Sequence, residues 1–156
     1  MSDEVNMRTF FTHFIERNRG EFSFIDAAYL ATDADIRYIE QAIQCALPAS
    51  YVWFLEKYGA GGINGADING VGVPEFRYHT ADETAKLIEK SNNLKEGKFL
   101  LLEEYEEGWT FLLDLTCCLP GDDDSPVVAY NAFTDTIDPV WNSFCTFIQE
   151  RFGFRS

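Results

Sequence analysis

Residues 32–73 read TDADIRYIEQAIQCALPASYVWFLEKYGAGGINGADINGVGV, and this stretch decides the fold. Thr32 suits a helix N-cap, because its hydroxyl can accept from an N–H that the first turn leaves orphaned. Asp33 and Asp35 follow in the first turn, where the helix dipole favours negative charge. Ile36, Ile39 and Ile43 then repeat at three and four, one apolar stripe that runs to Leu47. Pro48 lacks an N–H and disfavours helical geometry before it, so one helix stops at Leu47-Pro48 and a second starts on the proline. In that second helix Tyr51, Phe54, Leu55 and Tyr58 form a core-facing stripe. Gly59 suits the left-handed position just past its end. Trp53 lies beside the stripe, next to Glu56 and Lys57. It reads either as a core-edge aromatic or as a binding anchor.

Residues 59–72 hold six glycines. No Gly-Lys-Ser/Thr ends the run, and the G-x-G-x-x-G spacing is absent, so it is not a phosphate loop. Asp67, Asn69 and Gly70 lack the alternating ligands and closing glutamate of a calcium loop. A tight turn leading into a strand, closely approached by other backbone, is the simpler expectation.

The order Ile36, Ile39, Ile43, Leu47-Pro48, Tyr51, Phe54-Leu55, Tyr58-Gly59, Gly61, Gly62 resembles a signature of the SUKH superfamily. That superfamily includes the yeast cell-wall-assembly regulator and many bacterial immunity proteins. Gly108, Trp109, Phe111 and Asp114 are similar to its central strand, and Phe144, Phe147 and Ile148 to its closing helix. The resemblance spans most of residues 32–152, and its Leu-Pro-x-x-Tyr-x-x-Phe-Leu core is the specific part. It implies a protein-binding module, either an immunity factor or an intracellular adaptor.

A chain of 156 residues with 46% hydrophobic side chains is long and apolar enough for one domain with an unstapled core. The expected class is α+β, with an antiparallel or mixed sheet of about four to six strands and helices packed on it. The net charge is −14, which argues against nucleic acid or an anionic membrane as partner and favours a basic protein. The charge is uneven: residues 99–150 carry eleven acids and no lysine or arginine. The start is polar and no run reaches bilayer length. The four cysteines form no C-x-x-C pair, and Cys45 and Cys145 read as small buried hydrophobes. A reducing cytoplasm is the expected compartment.

Outside the central stretch, Met7, Phe10, Phe11 and Phe14 predict an amphipathic helix ending near residues 18–20. Residues 71–77 can be strand, interrupted at Pro74. Thr80 and Glu83 have capping-box spacing for a helix running to about Ser91. Short strands are expected at 99–102, 109–115 and 127–130. Residues 103–108 would join the first two as an acidic loop centred on Tyr105, and residues 119–126 form a second acidic turn. Asp138-Pro139 would cap a last helix with Trp141, Phe144, Cys145, Ile148 and Phe152 on its apolar face.

No chemistry-bearing motif emerges. His13 and His79 are the only histidines, and no H-E-x-x-H or closed metal spacing is present. The carboxylate pairs Glu103 with Glu107 and Asp122 with Asp124 sit on expected surface turns, where acids are ordinarily solvated. The expectation is no catalytic site, no cofactor and no metal. Two functions remain. One is an immunity protein that neutralises a basic toxin domain of nuclease type through an acidic face. The other is a regulatory adaptor of the cell-wall-assembly-regulator kind. Aromatics among acids supply specificity in such a face. The partner-binding candidates are therefore Glu103, Glu104, Tyr105, Glu106 and Glu107, then Asp122, Asp123 and Asp124, and Trp53.

Overall fold

The structure, a computed structural model, describes residues 3–153. Its first helix, α1 (Asp3–Arg17), buries Phe11 and Ile15 and half-buries Phe10 and Phe14; the side chain of Met7 lies outside the described residues. A two-residue strand, β1 (Ser23–Phe24), follows. Thr32 then caps α2 (Asp33–Ile43), and Asp35 accepts from the Thr32 N–H in return, which completes a capping box. The helix ends four residues before Leu47. Gln44 turns left-handed at φ 56°, and the Glu40 carboxylate takes the Leu47 N–H at 2.9 Å. Pro48 is the N-cap of α3 (Ala49–Lys57), so the helix starts one place after the expected start on the proline. Tyr51, Phe54, Leu55 and Tyr58 are all buried, as their spacing predicts.

Gly59 takes φ 75° past α3, and a Cβ there would meet Ile25 at 2.2 Å. The chain then enters β2 (Gly61–Gly62), which pairs antiparallel with β1. At Gly61 a Cβ would stand 1.9 Å from the Ser23 carbonyl oxygen, so only glycine allows this pairing. Residues 71–77 are not strand: a 3-10 turn at Pro74–Phe76 occupies them, as Pro74 favours a helical start over ladder pairing. The next helix is α4 (His79–Glu89). Its expected capping box does not form. Thr80 points inward and donates to the Leu101 carbonyl at 2.5 Å, while Thr84 accepts from the Leu101 N–H at 2.8 Å. Glu83 bonds Lys86 instead.

The main sheet is antiparallel, in the order β3 (Phe99–Glu106), β4 (Trp109–Asp114), β5 (Val127–Asn131), β6 (Thr136–Trp141). Strand alternation sorts its side chains into two cores. Leu100, Leu102, Phe111, Leu113, Val127 and Ala129 join the helix aromatics on one face. Phe99, Leu101, Leu112, Val128 and Tyr130 face Leu94 and the Leu87 and Ile88 side chains of α4 on the other. Asp138-Pro139 lies within β6, an outer strand, so it caps nothing. Ser143 is the true cap of α5 (Phe144–Arg151), accepting from the Thr146 N–H at 3.0 Å. Trp141 precedes that helix; Phe144, Cys145, Phe147, Ile148 and Phe152 are buried.

Candidate functional site

The segment expected to be an acidic loop is mostly strand. Two register shifts, between Leu101 and Glu103 and between Glu104 and Glu106, carry β3 as far as Glu106. Only Glu107 and Gly108 turn, with Gly108 at φ 80°. The bulges also separate the five singled-out residues. Glu103 is only 3% exposed, and its carboxylate forms a two-pronged pair with Arg151 at 2.8 Å for each contact. It also accepts from the Asp67 N–H. Glu103 is thus an internal tie between β3 and α5, unavailable to a partner, and it holds the Arg151 guanidinium above its ordinary pKa. Tyr105 is half-exposed, with its ring against Phe111 and under the Arg151 guanidinium at 4.9 Å.

Glu104, Glu106 and Glu107 face solvent and form no ion pair among the described residues. They line an open cleft of about 510 Å³ with Trp109 and Thr110 on one wall. Glu83, Lys86, Leu87 and Lys90 of α4 form the other wall. Lys86 is held by Glu83 at 3.3 Å. Phe133 lies at the rim, 73% exposed, with its ring over Gly108. The Gly108 carbonyl accepts from the Ala132 N–H, which fixes the two turns side by side. The cleft therefore offers three carboxylates outside any ion pair among the described residues and a raised phenyl ring at the sheet end, while the Trp109 side chain packs against the main core.

The second candidate group is largely consumed by the fold. Asp124 accepts from the Ser50 hydroxyl at 2.9 Å, the Phe144 N–H at 2.8 Å and the Cys145 N–H at 3.3 Å. It serves α3 and satisfies orphan donors at the start of α5. Asp122 accepts from the Leu119 N–H within its own turn. Of the three, only Asp123 has an exposed side chain, and its carbonyl accepts from the Ser50 N–H. Trp53 is half-buried, its ring 6.1 Å from Phe11 and 5.7 Å from Tyr58, which makes it the core-edge aromatic.

Asp35 lies away from the cleft, bonded to Arg77, Tyr78 and Thr32. Burial pushes its pKa up, but hydrogen bonds from Arg77, the Thr32 N–H, Tyr78 and the Thr32 hydroxyl outweigh that and hold it well below the carboxylate range. Arg77 also donates to the Gly72 and Leu30 carbonyls, so it ties the glycine exit to α2. Tyr78 stacks on Tyr38 at 3.8 Å. Among the described residues no three His, Cys, Asp or Glu side chains are grouped to hold a metal ion. No helix there is long and apolar enough to cross a membrane.

The family model SUKH_5, described as SMI1-KNR4 cell-wall, matches residues 12–153. The chain belongs to the SUKH family. The match takes in both cores, the glycine exit and the cleft, and the α+β architecture agrees with it. On this SUKH fold, sequence reasoning found Glu104, Glu106 and Glu107 but missed their surroundings. Trp109 read only as a strand residue. Phe133 had one local signal, a large apolar side chain between turn residues. Lys86 and Lys90 come from a helix distant in sequence, and nothing local marks them as the opposite wall.

Proposed function

We propose that this protein is an immunity protein, acting in the cytoplasm, that binds and neutralises a cognate basic toxin domain of nuclease type. The observation that carries the reading is the cleft end of the sheet, where Glu104, Glu106 and Glu107 stand unpaired beside Trp109 and the exposed Phe133. Nuclease clefts hold phosphate and are accordingly basic, so carboxylates presented on a rigid edge can occupy them and steer the encounter. Charge alone would attract many basic proteins. Phe133 supplies an anchor that discriminates among them. The resemblance to a superfamily that includes bacterial immunity proteins points the same way, although it is equally compatible with an adaptor. The protein itself catalyses nothing in this role; occupation of the toxin suffices.

The test is co-purification with the toxin domain encoded beside this gene, followed by binding kinetics. Charge reversal of Glu104, Glu106 and Glu107 should slow association by about 10-fold or more at low salt and flatten its salt dependence. Phe133→Ala should speed dissociation by roughly 10-fold. Unchanged rates together with intact protection of toxin-exposed cells would remove the cleft from the interface. If no neighbouring toxin is bound, the immunity reading falls and the adaptor reading takes its place.

A further inference from the structure

We propose that Cys45 and Cys118 form a reversible thiol–disulfide site that reacts with small-molecule disulfides. The two residues meet at one backbone oxygen: the Leu115 carbonyl accepts from Cys45 Sγ at 3.4 Å and from the Cys118 N–H at 3.0 Å. Both side chains pack against the main core without being sealed in it. Cys45 lines an open surface depression of about 430 Å³ with Arg37, Glu40, Gln41, Ala46 and Pro120. A dissolved reagent can enter there, where Arg37 and Glu40 offset one another in charge, and glutathione disulfide is such a reagent. Cys117, the neighbour of Cys118, is exposed, and Cys145 is buried.

The two segments that carry these cysteines are held together by the fold. The corner between α2 and α3 meets the turn after β4, where Ala49 N–H donates to the Asp122 carbonyl and Ser50 N–H to the Asp123 carbonyl. A disulfide between 45 and 118 would thus join segments that the fold already holds close, which limits the rearrangement it needs. The reaction is two exchanges. Deprotonated Cys45 attacks one sulfur of the small disulfide, forms a mixed disulfide and releases one thiolate. Deprotonated Cys118 then attacks Cys45 Sγ, forms the internal bond and releases the second thiolate. Two protein thiols are oxidised, one small disulfide is reduced to two thiols, and the two protons end on those thiols. Burial pushes the Cys45 thiol up, as does the nearby Cys118, against a smaller opposing effect of Lys98; burial likewise raises Cys118, with Asp122, Glu40 and Asp124 adding to it and Ser125 opposing. Closure is therefore slow at neutral pH and faster as pH rises toward the thiol range.

The deciding experiment treats the full-length reduced protein with glutathione disulfide, blocks remaining thiols and maps the peptides by mass spectrometry. The expected product has lost two hydrogens, carries a Cys45–Cys118 linked peptide and leaves Cys117 and Cys145 blocked. Its melting temperature should rise by about 5–10 °C, because a long loop has been closed, and fall back with dithiothreitol. Cys117→Ser should keep both changes, and Cys45→Ser should lose both. A bond between Cys117 and Cys118, a glutathionyl adduct on Cys117 alone with Cys45 free, or no internal bond at excess glutathione disulfide would each overturn the proposal. The mapping is done on the unmutated chain, so it decides the matter even if a variant fails to fold.

Discussion

The acids at 104–107 and the acids at 122–124 both adjoin glycine-marked turns, yet the first group keeps its carboxylates in solvent while two of the second group's three are bonded within the fold. The difference lies in the backbone around them. At the end of the β3–β4 hairpin no helix start among the described residues lies beside Glu104, Glu106 and Glu107 to draw their carboxylates in, and they face solvent. At 122–124 the starts of α3 and α5 present orphan donors, and Asp124 is drawn in to satisfy them. Glu103, just before the first group, adds a third outcome, a carboxylate taken out of solvent by a distant arginine. A run of acids in a sequence is thus a supply of acceptors, and neighbouring donors decide how many reach the surface.

Substitutions can break this comparison in order of expected effect. Glu103→Ala leaves the Arg151 guanidinium, itself only 20% exposed, without its partner. The expected loss is about 3–5 kcal/mol in urea unfolding. A loss under about 1 kcal/mol would mean that Glu103 behaves like its exposed neighbours. Asp35→Asn should cost about 2–4 kcal/mol at neutral pH, since Arg77 loses its ionic partner. Because the folded pKa of Asp35 is depressed, its stabilisation is complete above the ordinary carboxylate range and drains away as pH falls through the folded value. The gap between wild type and Asp35→Asn should therefore narrow below about pH 4, where the unfolded carboxylate begins to hold its proton. A constant gap down to pH 2 would contradict the assignment.

Asp124→Ala should cost about 2–3 kcal/mol, measured the same way, by stripping a cap from α5 and a bond from Ser50. At the small end, Glu104→Lys, Glu106→Lys and Glu107→Lys should each change stability by less than about 0.5 kcal/mol. If one of them proved as costly as Asp124→Ala, the two acidic groups would no longer differ in kind.

The sequence made the helices legible where the signal was local. Thr32, the Ile36 and Ile39 stripe, the Tyr51 to Tyr58 spacing and Gly59 each act within a few residues, and the structure uses each as expected. Reading failed where a local signal had a distant competitor. Thr80 has perfect cap spacing, but Leu101 offers it a backbone carbonyl inside the fold. Asp138-Pro139 looks like a helix start, but β5 captures it as a sheet edge. Within the site, the free carboxylates were legible as composition. The cleft was not, because its second wall comes from α4 and its rim from the β5–β6 turn.

An open sheet leaves two margins, and they are finished differently here. Along β3, Thr80, Thr84 and Asn69 already occupy backbone groups of Leu101 and Leu102, so that margin is stitched to its own molecule. Along β6 there is no such cover from another strand, but Pro139 removes a donor and Asp138 and the exposed Val140 flank it. A strand from a second copy would meet a gap in the donor row and a like charge beside it. The fold is therefore discouraged from growing into fibrils or stacked sheets at high concentration, and crowding alone should leave its copies separate.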